Sequence, residues 1–261
     1  VTVHPPDVRA FIGLDTVSGC QPWTFEPRSF STPGAALAWD ILAPDGSTVA
    51  SGNDAAPSFS LDQSGIHRVI LRAARCGSAA DTVFVEVLPA PEVGFMVDPG
   101  VCTGDELNLM NTSTGIAGGF YTLGNGDTLR QVNGAVTYPA EGDFTVTFTG
   151  FSALNNCPAE ATRNLRVHPL PEVAIAATDT ANCSPLRTTL SNPITAGTLT
   201  YAWEFDDGTD VSDQATPEHT YNVAGEYFPR LTVTDSVGCV RDISFSRITV
   251  HPDPVPAFSI T

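Results

Sequence analysis

Six cysteines carry the most regular chemical pattern in this sequence: Cys20, Cys76, Cys102, Cys157, Cys183 and Cys239. Cys20 and Cys76 stand 56 residues apart, Cys102 and Cys157 55, and Cys183 and Cys239 56, while corresponding cysteines recur every 81 or 82 residues. A recurrence this regular indicates three tandem domains, each owning one pair. The repeat selects Cys20 with Cys76, Cys102 with Cys157 and Cys183 with Cys239 as the expected disulfides. Closing a loop of that length contributes about 4 kcal/mol in the chain-entropy view, and disulfides point to an oxidising, extracellular setting. The competing readings are free buried thiols and metal ligation. The second is disfavoured because no C-x-x-C occurs and the histidines do not cluster with the cysteines.

Carboxylates come next. Asp206, Asp207, Asp210 and Asp213 form the densest acidic cluster, and hard oxygen ligands at such spacing can bind calcium. The corresponding turns of the other repeats offer only Asp127 and Asp45, so the cluster is not a property of the repeat. The plainer reading is a solvated turn in which Asp side chains cap local amides. No other cofactor is expected. Trp23, three residues after Cys20, either covers the disulfide or presents a platform for sugar rings. His4, His168 and His251 occupy one equivalent position and read as domain-junction residues, while His67 and His219 read as structural. No G-x-S-x-G elbow or H-E-x-x-H motif occurs, so no enzymatic activity is expected.

Composition narrows the partners. All 12 basic residues are Arg, against 29 acidic residues and a formal net charge of −17. Such a chain repels nucleic acid and anionic membranes. Without Lys, neither Schiff-base chemistry nor Lys isopeptide cross-links are available, so a covalent staple has to be cystine. No run of 18 apolar residues spans a membrane. Twenty-one Pro and 22 Gly, with scattered β-branched residues and no helical apolar stripe, indicate an all-β fold.

The elements that must position these groups centre on Leu199–Thr209. Tyr201, Trp203 and Phe205 alternate with Thr200, Ala202 and Glu204, which is the pattern of a half-buried strand. The strand runs into Asp206-Asp207-Gly208-Thr209, where Asp hydrogen bonds and a Gly of positive φ turn the chain. His219-Thr220-Tyr221, Gly225 and a long strand over Tyr227–Asp235 follow. Ile243 and Phe245 share a phase that Ile248 and Val250 reverse, which predicts a bulge near Ser246. In repeat one the core strand is Leu37–Ile41 around Trp39, and Leu61 replaces the expected Tyr. In repeat two Tyr121-Thr122-Leu123-Gly124-Asn125-Gly126 and Tyr138 take the places of Trp203–Gly208 and Tyr221.

The order W-x-F-x-D-G, then H-T-Y, then G-x-Y resembles a PKD domain, a small Ig-like β-sandwich common in secreted and cell-surface proteins. Only the family's usual Gly, at Asp206, is missing. The expectation is three tandem Ig-like (PKD) sandwiches in an elongated array: repeat one over 6–89, repeat two over 90–169 and repeat three over 170–252. Residues 1–5 read as the last-strand tail of a preceding repeat and 253–261 as the first strand of a following one. Short proline-bearing links at Ala90-Pro91, Leu170-Pro171 and Asp253-Pro254 are semi-rigid. Cys-paired arrays of this kind are similar to those of giant adhesins and gliding-associated surface proteins of Bacteroidota. That resemblance implies a stiff stalk or filament segment, with neighbouring repeats or identical chains as partners and the surface or glycan ligand bound elsewhere. The alternative is a spacer or carbohydrate-binding module of a secreted hydrolase. Asp-Thr/Ser tripeptides at Asp15, Asp81, Asp127, Asp179 and Asp235 resemble the O-glycosylation signal of secreted Bacteroidota proteins, and turn chemistry explains the same tripeptides.

Overall fold

A computed structural model of the chain describes residues 7–194 and 197–254. The tail over residues 1–5, with His4, lies outside them, as does most of the segment read as a following strand. Every regular element among the described residues is a β-strand.

The first repeat shows why. In Ala36–Leu42 and Gly65–Ala74 every second side chain points inward, so Trp39 and Ile41 meet His67, Val69, Leu71 and Ala73 at zero to 1% exposure. The two strands pair antiparallel with Trp39 opposite Leu71 and Ile41 opposite Val69. They form the middle of a five-stranded sheet in the order Ser18–Cys20, Ser78–Leu88, Gly65–Ala74, Ala36–Leu42, Thr48–Gly52. Facing it are two strand pairs, Trp23–Phe25 with Phe59–Leu61 and Ile12–Gly13 with Arg28–Ser29. Ile12, Phe25, Phe59 and Leu61 close the core from that side. Two sheets burying alternate residues against each other make a β-sandwich. Fully burying a side chain of this size contributes about 2–3 kcal/mol relative to exposure.

Backbone contacts divide the chain into two compact units. One contains the described residues up to Val97 with Asn108–Ala135 and Thr145–Arg163. The other contains Asp98–Leu107, Val136–Phe144 and the described residues from Asn164. In the first unit Tyr121 pairs opposite Phe148 and lies edge-on to Phe95, with ring centroids 5.2 Å apart. In the second, Trp203 pairs opposite Leu231, and Leu186, Leu190, Tyr221, Val233, Ile248 and Val250 fill the core around it.

The long strand and the bulge expected in repeat three are instead breaks. Gly225–Tyr227 and Arg230–Asp235 are separate strands, as are Val240–Ser244 and Ile248–His251, and each pair is divided between two sheets. Pro229 stands at the first break and has no N–H to donate to a ladder; its carbonyl still accepts from Phe245 N at 2.7 Å.

The cystines differ from expectation more sharply. The structure bonds Cys20 to Cys157 and Cys102 to Cys239, and leaves Cys76 and Cys183 as exposed thiols. The within-repeat pairs Cys20–Cys76, Cys102–Cys157 and Cys183–Cys239 do not form. The reason is the parallel pairing of each repeat's short opening strand with the end of its last strand, Cys20 lying opposite Leu88 and Cys183 opposite His251. Cys76 sits in the hairpin before Ser78–Leu88, at the other end of that 11-residue strand. At about 3.3 Å per residue the two cysteines are roughly 30 Å apart, far beyond the reach of a disulfide at about 7 Å between Cα atoms. The bonds that do form have Cα–Cα separations of 5.4 and 5.6 Å. Each closes 137 residues, worth at most about 5 kcal/mol by loop entropy.

Non-reducing peptide mapping will recover Cys20–Cys157 and Cys102–Cys239. Replacing Cys157 by Ser will lower stability by up to about 5 kcal/mol, whereas Cys76→Ser will leave the melting temperature of the monomer unchanged. Equal effects of the two substitutions would contradict this connectivity.

Candidate functional site

The acidic turn of repeat three is built by its own aspartates. Asp206 has φ 63°, the left-handed region that the family's usual Gly adopts without strain. Its Oδ2 accepts from Phe228 N at 2.9 Å, a bond that a Gly does not supply. Asp207 Oδ1 accepts from Thr209 Oγ1 at 2.6 Å and Thr209 N at 3.2 Å, and its Oδ2 lies 2.8 Å from His219 Nε2. The His219 ring stacks flat on Phe205 at 3.9 Å and meets Tyr221 edge-on at 4.7 Å. Burial pushes the Asp207 carboxyl up, but the Thr209 hydroxyl and amide and the His219 ring outweigh it and hold the group below the usual carboxylate value.

The same capping recurs in the other turns. Asp45 Oδ1 accepts from Ser47 N at 2.9 Å, and Asn125 Oδ1 from Asp127 N at 2.9 Å. Thus the carboxylates of Asp206 and Asp207 face protein donors, while Asp210 and Asp213 are exposed. Among the described residues no group of three or more His, Cys, Asp or Glu is placed to hold a metal ion.

Trp23 is half-buried. It lies edge-on to Phe25 at 5.1 Å, and its indole covers Gly19, where an added Cβ would come within 2.2 Å of the ring. The indole packs against Gly19 and the core. His67 is fully buried: Nδ1 lies 3.2 Å from Gly65 O, and Nε2 has no hydrogen-bond partner. Trp39, Tyr121, Tyr138, Trp203 and Tyr221 are buried, and four of them have the polar atom bonded. Trp39 Nε1 donates to Asp54 O, Trp203 Nε1 to Gln214 O, Tyr121 OH to Val132 O and Tyr221 OH to Phe205 O, at 2.8 to 3.1 Å. Burial pushes the Tyr121 phenol up to about 12 and raises that of Tyr221 further. Tyr138 is 1% exposed with its ring 4.7 Å from Phe144. All five hydroxyl residues of the Asp-Thr/Ser tripeptides, Thr16, Thr82, Thr128, Thr180 and Ser236, are exposed.

What the sequence reading missed is the pairing of the cysteines: each cystine joins the cysteine of a short opening strand to a hairpin cysteine far along the chain, both within one of the two compact units. Asn155, in the same hairpin turn as Cys157, donates from Nδ2 to Pro89 O at 3.0 Å. The signal was present as the equal 137-residue separation of Cys20 from Cys157 and of Cys102 from Cys239.

Asp206→Ala and Asp206→Gly both lose the bond to Phe228 N, but only Ala retains left-handed strain. Chemical denaturation will therefore show the Ala variant about 1–2 kcal/mol less stable than the Gly variant. A carboxyl held below its unfolded value of about 3.9 stabilises fully above that pH and loses the contribution as pH falls through the folded value. Melting curves from pH 7 to pH 2.5 will therefore fall more steeply below about pH 4 for the native chain than for Asp207→Asn; parallel curves would show that Asp207 carries no such linkage.

The family model described as PKD domain matches residues 166–250. Human polycystin-1 is 31% identical over 105 residues, which is 39% of this chain and 2% of that protein. Among solved structures, the ICAM-5 D1–D4 ectodomain fragment is similar with 11% identity and a TM-score of 0.38, over 93% of this chain and 76% of that one. The fibronectin(III)-like modules of Clostridium thermocellum CbhA are similar with 13% identity and a TM-score of 0.35, over 64% of this chain and all of that one. Buried Trp203 and Tyr221, the capped Asp207 turn and the sandwich core thus lie within the segment, residues 166–250, that the PKD domain model matches.

Proposed function

We propose that this chain is a non-catalytic, tension-bearing segment of a secreted or cell-surface protein, a stalk or filament piece of the kind found in large adhesins. The observation that carries this reading is the path of the two cystines. Each fastens the opening strand of one repeat to the last hairpin of the next, so the proline-bearing links are bypassed covalently. Pulling on the ends then loads sulfur bridges and strand ladders rather than the links alone. PKD domains and disulfides are both typical of extracellular proteins, and among the described residues no helix is long and apolar enough to cross a membrane. A net charge of −17 favours a solvated surface over nucleic-acid partners.

Single-molecule extension tests the reading. Under oxidising conditions the bridged residues stay locked, and adding a thiol reductant lengthens the fully extended chain by on the order of 500 Å. Equal extension with and without reductant would remove the mechanical role. Saturable binding to a polysaccharide on a glycan array would replace it with that of a carbohydrate-binding module.

A further inference from the structure

Repeat one departs from the other two at one pair of core positions. Leu61, Gly65 and His67 stand at the spacing of Tyr138, Gly142 and Phe144 and of Tyr221, Gly225 and Tyr227. In repeats two and three the aromatic pair fills the space, with ring centroids 4.7 and 4.4 Å apart. Leu61 and His67 are smaller, and the surface beside them opens into a cleft of about 470 Å³. Sites that hold small molecules run from roughly 300 to 1,000 Å³.

The groups around this cleft are almost all hydrogen-bond acceptors. Leu61 and His67, at 1% and zero exposure, form its floor, and the exposed Asp45, Ser47, Ser60 and Asp62 stand around them. Ser47 Oγ donates to Asp45 Oδ1 at 2.7 Å, and Ser60 Oγ to Asp62 Oδ1 at 3.0 Å. With their protons committed to the carboxylates, both hydroxyls present lone pairs. Among the described residues neither carboxylate belongs to an ion pair. His67 Nδ1 lies 3.2 Å from Gly65 O, which places the ring proton there and makes Nε2 an acceptor. Nε2 is buried and has no hydrogen-bond partner.

Such a site calls for a cation rich in N–H donors. A metal ion is not the match, because among the described residues no three His, Cys, Asp or Glu are placed to hold one. A planar guanidinium suits the two oxygens of a single carboxylate, whereas an ammonium spreads three N–H groups toward separate acceptors. Val49 and Leu61 add apolar surface for an alkyl stem. The chain contains no Lys, so the ammonium comes from another molecule, and a net charge of −17 draws cations toward the surface.

We infer that the cleft of repeat one binds a primary alkylammonium group, which donates to Asp45, Asp62 and His67 Nε2 with its stem over Leu61 and Val49. A free amine and the Lys side chain of another protein share this chemistry. The inference goes beyond the mechanical reading, which would survive its failure.

The test is a nuclear magnetic resonance titration of the whole isotope-labelled chain at neutral pH and constant ionic strength. n-Butylammonium chloride will shift the backbone amides of Ser47, Asp62 and Gln63 saturably. n-Butanol and n-butylguanidinium will bind at least tenfold more weakly. N-acetyl-lysine methylamide, a blocked Lys side chain, will match n-butylammonium if the source is a protein and bind at least tenfold more weakly if it is a free amine; either result supports the site. Asp62→Asn, at an exposed position, will weaken n-butylammonium binding at least fivefold with the melting temperature unchanged. The double variant Leu61→Tyr and His67→Phe restores the ring pair of repeat two and will abolish the shifts. Should that variant fail to fold, Asp62→Asn still decides. Equal binding of n-butanol or n-butylguanidinium, shifts that do not saturate, or undiminished binding by Asp62→Asn would overturn the inference.

Discussion

A short parallel pairing governs the rest of this structure. In each repeat three residues ending in a cysteine lie beside the end of the last strand, in one register: Cys20 opposite Leu88, Cys102 opposite His168, Cys183 opposite His251. That register holds the cysteine where the chain is about to leave the repeat. The second cysteine of the repeat sits in the hairpin that begins the last strand, so a full strand length separates the two. A disulfide has a narrow range of backbone separations, and the neighbouring repeat's hairpin is what falls within it. Each cystine thus ties together chain segments far apart in sequence within one compact unit.

Packing beneath this framework follows from alternation. Inward positions of the central strands carry Trp39, Tyr121 and Trp203, large enough to dominate each core, and alternate positions carry residues such as Asp40, Thr122, Thr200 and Glu204. Tyr and Trp bring a polar atom with them, and a buried donor left unpaired costs about 1–3 kcal/mol. Asp54 and Val132, each just past the strand that follows the core strand, supply backbone carbonyls for Trp39 and Tyr121, Gln214 supplies one for Trp203, and Phe205, at the end of the core strand, supplies one for Tyr221. The core aromatics therefore also fix the loops that follow them. His67 Nε2 is the exception, buried without a partner.

The aspartates near the core strand act as backbone chemistry. Asp45, Asn125 and Asp207 each accept the amide two residues on, and Asp206 occupies a left-handed conformation while holding Phe228 N. A carboxylate engaged by amides, a hydroxyl and an imidazole has little free capacity for a cation. Asp206 and Asp207 of this turn each answer protein donors, and the missing Gly at Asp206 is compensated by an oxygen that Gly lacks.

The sequence by itself determined the all-β class, the inward-facing aromatics, the turn residues and the recurrence of cysteines, because period-two alternation, Asx and Gly turns and a fixed period are local properties. The likeness of residues 166–250 to a PKD domain was legible for the same reason, since its motif lies within one short span. Tertiary structure alone decided which cysteines bond, where the strands around Pro229 break, and that Asp206 and Asp207 turn toward Phe228 N, Thr209 and His219. Those outcomes depend on which strand ends lie together in space. A separation of 55 residues and one of 137 look equally plausible along a chain, and only the parallel register of the opening strand shows that the longer one closes within a few ångströms.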